Sequence, residues 1–200
     1  MSSDSEVKGS DSARPESGSR ITRADQGVHR IDLWGAMPVT WLGNFARATT
    51  RLSLDIVRGL ARRDARRQWA AYFEIRSSLA LELERSDFLR LAREPSAPLP
   101  TINLVLDSFE LTRSDERKGT LELRVRAPDR VGFLAALLEH LAGFVLFPEE
   151  ISINTFKLEV EDTLLLSSVA GQSPPPELEG ALRASLRACR RDRLSIPPST

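Results

Sequence analysis

The sequence predicts an α+β chain made of two similar units in tandem. Three observations carry that prediction: an internal repeat at a fixed offset, a switch between period-two and helical apolar spacing inside each repeat, and a proline-rich stretch between the repeats. Moving the chain by 92 positions lays Trp41 on Phe133 (133 − 41 = 92), Leu42 on Leu134, Phe45 on Leu137, Leu52 on Phe144 and Leu54 on Leu146 without a gap.

In the first repeat, HRIDLWGA (His29 to Ala36) alternates apolar and polar residues as a strand does. WLGNFARATTRL then sets Trp41, Leu42, Phe45, Ala48 and Leu52 on one helical stripe. LSLDIVRGLARR and QWAAYFEIRS follow as a pair of strands, and SDFLRLARE offers a second helix. EPSAPLPT, Glu94 to Thr101, carries three prolines that stop a helix and mark the boundary. INLVLDSFEL supplies one more strand before the second unit begins, closing the first.

The second repeat runs in the same order. TLELRVRA is the strand, Phe133, Leu134, Leu137, Leu138, Leu141 and Phe144 form the helical stripe, and EEISINTFKLEV with DTLLLSSVA makes the strand pair. PPELEGALRASLRACRR is the last helix, with Pro176 in its first turn. Each half reads as the split β-α-β plan, with a closing strand clear only for the first. The domain expectation is a disordered tail over 1–27, units over 28–107 and 108–195, and a short tail over 196–200. The tail assignment rests on a Ser-, Gly-, Asp- and Arg-rich composition that buries too little to offset ordering entropy.

Composition narrows the function. With 28 Lys+Arg against 28 Asp+Glu among 200 residues, no net charge draws the chain to nucleic acid or an anionic membrane. A single cysteine, Cys189, excludes an intrachain disulfide and a cysteine-based zinc site, and fits a reducing compartment. The N-terminus lacks the apolar core of a signal peptide, and the most apolar window, around LAGFVLF, is too short to span a bilayer, so the expected location is cytoplasmic.

The second half resembles an ACT domain, a small-molecule regulatory module. APDRVGFL (Ala127 to Leu134) matches that family's apolar strand, Asp-Arg-x-Gly turn and apolar helix. ISINTFKLEVEDTLLLSSVAGQSPPP matches its hairpin and polar-proline turn. The resemblance covers roughly 108–188 and is similar to the paired C-terminal ACT domains of the bacterial uridylyltransferases that modify the nitrogen-signalling protein PII. The first half shares only the pattern, its turn reading GAMPVTWL. The resemblance implies a βαββαβ, ferredoxin-like fold, amino-acid binding at the turn after the first strand, and pairing of modules into oligomers.

The implied ligand residues are Asp129, Arg130, Val131, Gly132 and Phe133. A glycine at the turn lets a ligand approach the backbone, unpaired N–H groups at a helix start favour a carboxylate, and Asp129 can accept from an ammonium group. The alternative is that Asp129 caps the helix, Pro128 stiffens its entry and Gly132 packs on a neighbouring strand. Arg130 is most simply solvent-facing. Met37, Pro38, Val39 and Thr40 stand at the aligned positions of the first repeat, where Thr40 reads as a cap.

Catalysis finds little support. Glu161 and Asp162 are neighbours in a strand and point to opposite faces, so they do not cooperate as an acid/base pair. The two histidines, His29 and His140, stand apart, and no metal or cofactor is expected. Cys189 sits on an arginine-rich helix, where a lowered pKa is conceivable and an inert thiol more common. RGLARRDARRQW, Arg58 to Trp69, sets arginines before Trp69, Tyr72 and Phe73, a pattern that single-stranded RNA could use, although Trp69 and Phe73 alternate as core residues do. All three tryptophans, Trp34, Trp41 and Trp69, fall in the first repeat and suggest a packing surface toward a partner.

The expectation is a non-enzymatic regulatory protein whose amino-acid ligand biases an interface. A ligand-independent dimerisation or docking module for a metabolic or nitrogen-signalling enzyme is the alternative, and an RNA-binding ferredoxin-like module the third. A homo-oligomer or a partner enzyme is the expected assembly, with neither nucleic acid nor membrane.

Overall fold

The computed structural model describes residues 17–24, 27–77, 83–97, 99–100, 102–115, 117–169 and 172–191. The strands are β1 (Ser17–Arg23), β2 (Val28–Gly35), β3 (Leu54–Arg63), β4 (Trp69–Ser77), β5 (Ser108–Arg113), β6 (Leu121–Pro128), β7 (Leu146–Phe156) and β8 (Glu159–Ser168). The helices are α1 (Trp41–Arg51), α2 (Phe88–Arg93), α3 (Phe133–Ala142) and α4 (Pro176–Ala188). All eight strands join one antiparallel sheet in the order β1-β2-β4-β3-β7-β8-β6-β5.

That order is palindromic. The first four strands form one ferredoxin-like unit and the last four another, related by an approximate two-fold axis between β3 and β7. The seam is an antiparallel ladder from Arg58↔Asn154 to Arg62↔Glu150. A sheet edge presents unpaired N–H and C=O groups, and joining β3 to β7 removes one such edge from each unit. Arg63 reinforces the seam with an ion pair to Glu149 at 2.9 Å, and Ser167 donates to the same carboxylate at 2.8 Å.

The fourth strand of each unit comes from its N-terminal side, not its C-terminal end. β1 pairs with β2, and β5 pairs with β6. Two expectations are therefore corrected. Part of the 1–27 tail is the edge strand β1, with Ile21 set opposite Ile31, and INLVLDSFEL opens the second unit instead of closing the first. Its Leu106 is held by a short parallel bridge to Arg190 beyond α4. Residues 1–16 and the expected tail at 196–200 lie outside the described residues.

Strand alternation puts one face of the sheet under the helices. Ile31 and Leu33, Trp69, Ala71, Phe73 and Ile75, Leu121, Leu123 and Val125, and Leu164 and Leu166 all point inward and are buried. Phe45 of α1 stacks on Phe73 at 4.5 Å, and Trp41 meets Trp69 edge-on at 5.1 Å. Gly59 makes this possible, since a Cβ there would lie 2.6 Å from the Phe73 ring. Trp41 and Trp69 thus fill the core of their own unit, which corrects the partner-surface reading for these two of the three tryptophans, Trp34 being only partly buried. The second unit fills the same layer with Leu134, Leu137, Leu141, Leu182 and Leu186.

The helices are tied in pairs. The side chain of Asn44 in α1 donates to the carbonyl of Ala92 in α2, at 3.2 Å, and Ser185 of α4 lies 3.1 Å from His140 Nε2 in α3. Across the seam α1 packs on α3. Among the described residues no helix is long and apolar enough to cross a membrane.

Candidate ligand-binding site

The chain turns between β6 and α3 through Asp129, Arg130, Val131 and Gly132. Gly132 is the N-cap residue, in the left-handed region at φ 89°, and no side chain caps the helix. The Asp129 side chain is therefore not the cap; its backbone N–H donates to Leu158 O at 2.8 Å, tying the corner to the β7–β8 turn. Thr40 does occupy the N-cap position of α1, also without a side-chain cap bond.

Gly132 has a second reason to be glycine. A Cβ there would lie 2.4 Å from Ile102 Cδ1 and 3.2 Å from Thr50 Cγ2. The residues after the proline-rich stretch thus fold back over the corner. Arg130 is exposed, as the sequence reading expected, and its guanidinium also donates to the carbonyl of Asn103 on that segment.

Asp129, Arg130, Val131, Gly132 and Phe133 all line one cavity of about 40 Å³ between the units, whose other wall is Thr49 and Thr50 of α1 and Asp55 and Ile56 of β3. Val131 is half exposed and Phe133 is buried in the core, so the five contribute unequally. A water-sized group needs roughly 10–15 Å³ of such space, so the cavity as it stands admits a small head group and not a whole amino acid.

The floor of the cavity holds a residue that the sequence reading weighed only as half of an acid/base pair and set aside. Asp162 of β8 is 1% exposed, and neither carboxylate oxygen has a well-formed hydrogen bond among the described residues, the weak contact of the Asn154 backbone N–H aside. Burial pushes its pKa up to about 8, the backbone N–H of Asn154 opposing and the Asp129 carboxylate adding to the rise. Asp129 is itself raised, first by burial and then by Asp55, with Arg76 pulling it down. The expectation that Glu161 and Asp162 diverge holds: Glu161 faces outward and pairs with Arg126 at 2.8 Å. What was missed is that Asp162 has the inward parity of Val160, Leu164 and Leu166, a position where a carboxylate is costly.

The pseudo-equivalent cavity, of about 90 Å³, lies between the first unit's corner and the end of α3. It is lined by Val39, Thr40, Leu42 and Gly43 against Leu138, Phe147 and Pro148, with Arg47 and Glu139 at its rim. The ladder position of Asp162, opposite Val125, is held in the first unit by Ala71, opposite Leu33.

The remaining expected features are structural. Trp69 and Phe73 are enclosed beneath the helices, so the RNA reading loses two of its three aromatics. On the face of the sheet opposite the helices Arg30 lies 4.3 Å above the Tyr72 ring, while Arg62 pairs with Glu150 at 3.2 Å. His140 is half-buried and burial lowers its pKa; burial also pushes the Cys189 thiol up, which removes the reading of an activated cysteine.

No protein-family model matches the chain, and no curated protein matches it. It is similar to a solved structure of aspartate kinase from Synechocystis at a TM-score of 0.46 and 15% identity, over 83% of this chain and 29% of that one. The chain therefore spans less than a third of that protein's length.

Proposed function

We propose that the chain is a non-catalytic regulatory module of ACT type, in which a small polar ligand at the Asp129–Phe133 corner biases an interface. The supporting observation is the cavity at that corner, lined by both units. A group bound there touches α1 and β3 on one side and the β6–α3 turn on the other. Occupancy then stabilises whichever arrangement of the units closes around it, by its differential affinity and no more.

An amino acid requires the segment carrying Ile102 and Asn103 to lift, since those residues cover the corner. Calorimetric titration with each of the twenty amino acids, on the wild type and on Asp129→Ala, tests the reading. The expected result is heat and a rise in Tm for at least one amino acid, weakened in the variant. No heat and no shift for any of them would remove it.

The closed corner also favours a second reading, a ligand-independent dimerisation or docking module. Among the described residues nothing covers the face of the sheet opposite the helices, which carries Tyr72 and Leu60 among its charges. Size-exclusion chromatography across a concentration series separates the two readings: a concentration-dependent oligomer indifferent to amino acids belongs to the second.

A further inference from the structure

Among the described residues Asp162 is the one buried side chain of carboxylate, ammonium or guanidinium type. It lines the corner cavity, and its oxygens have no well-formed hydrogen bond among the described residues, the weak contact of the Asn154 backbone N–H aside. An enclosed carboxylate without partners is expensive, and its oxygens only accept when ionised, so the complement is a positively charged group rich in N–H donors. We propose that the cavity seats a primary ammonium group, held by the Asp162 carboxylate between the two units. This rests on the reading of the corner as a ligand site and names the chemistry that the site takes.

Several observations choose that chemistry. The volume of about 40 Å³ suits a head group of one heavy atom and leaves the rest of any larger ligand to exit beside the exposed Val131. Asp55 and Asp129 add negative potential, and Thr49 and Thr50 donate their hydroxyls to Ala46 O at 3.0 and 2.7 Å while keeping lone pairs that can accept. Of the cations near the site, Arg130 is engaged with Asn103, and Arg76 acts on Asp129. Among the described residues no group of three or more His, Cys, Asp or Glu is placed to hold a metal ion, which argues for a hydrogen-bonding cation over a divalent one.

Binding is then linked to protons. With its pKa near 8, Asp162 holds a proton at neutral pH while the cavity is empty. An arriving ammonium displaces that proton, so binding at pH 7 releases up to one proton and tightens as pH rises toward 8.

Isothermal titration of the full chain with ammonium chloride, methylammonium chloride and glycine, each at pH 7 in phosphate and in MOPS, buffers without a primary ammonium group, tests the proposal. Tetramethylammonium and sodium chlorides serve as controls. At least one N–H-bearing probe is expected to bind with proton release, seen as a heat that differs between the buffers, and Asp162→Asn is expected to weaken it roughly tenfold or more. Binding of ammonium alone identifies the free ion, binding of glycine alone identifies an amino-acid head group, and either supports the proposal. Equal binding of tetramethylammonium, or unchanged affinity in Asp162→Asn, overturns it. Should that variant not fold, Asp162→Ala carries the same comparison, and the buffer dependence of the wild type stands without any variant. An amino acid that binds through Asp129 and ignores Asp162 would sink this proposal and leave the regulatory reading intact; silence from every probe and every amino acid would end both.

Discussion

The two units repeat one another element for element and differ where the chain turns into the helix. The first unit's corner, Met37 to Thr40, faces a cavity lined mainly by apolar groups, with Ala71 on the inward face of the sheet. The second unit's corner, Asp129 to Gly132, adds its own carboxylate to a cavity that also holds Asp55 and Asp162, with Asp162 at Ala71's ladder position. Elsewhere the divergence is one of filling: an aromatic cluster around Trp41, Phe45, Trp69 and Phe73 in the first unit, and leucines in the second. A repeat can exchange rings for leucines and keep its fold. Placing an unpaired carboxylate in the core gains nothing for stability, and that is why the second corner reads as a site.

The comparison can be broken at its foundations first. Phe45→Ala and Leu137→Ala remove equivalent core side chains, and both should cost about 3–4 kcal/mol in urea denaturation. A loss confined to one of them would show that the units do not share a single cooperative core.

The corners come next. Gly132→Val meets both the positive φ and the Ile102 side chain and is expected to destabilise by about 2–3 kcal/mol, whereas Thr40→Val at φ −88° should cost under about 1 kcal/mol. Similar costs at the two positions would erase the asymmetry.

Asp162 supplies a pH signature that the first unit lacks. Its folded pKa of about 8 lies above the ordinary 3.8, so the unfolded chain releases a proton that the folded chain keeps. Its contribution to stability is therefore fully present below pH 4 and is lost as pH rises to 8. Asp162→Ala, which imports the first unit's residue, should gain about 2–3 kcal/mol on the wild type between pH 5 and pH 7, read from denaturation midpoints at each pH. A constant difference between the two proteins across that range would mean that the carboxylate is not held neutral. At the small end, Arg126→Ala breaks an exposed ion pair with Glu161 and should move stability by less than about 0.5 kcal/mol in the same assay.

The sequence made much of this legible, and its gaps have physical causes. Helix starts were readable because Trp41 and Phe133 open apolar stripes at the same repeat position. β1 was not, because SGSRITR offers Ile21 as its one large apolar side chain, and an edge strand needs no more. The strand β5 was recognised but joined to the wrong unit, since local pattern says nothing about which neighbour a strand pairs with. At the corner, Asp129 has the composition of a cap, yet the left-handed Gly132 moves the cap past it. Asp162 was readable from parity alone, as the one polar residue among inward-facing Val160, Leu164 and Leu166. Its lack of partners was not, because that depends on α1 and β3, which are brought there by the seam.

The seam also bears on how the chain is made. Every element of the first unit lies upstream of Arg93, so that unit can fold as soon as it leaves the ribosome, yet β3 stays a bare edge until β7 is complete at Phe156, 63 residues later (156 − 93 = 63). At roughly 5–20 residues per second that is a window of several seconds. During it, a second nascent chain on the same message presents the same waiting edge, and only the arrival of the chain's own later half withdraws it from exchange.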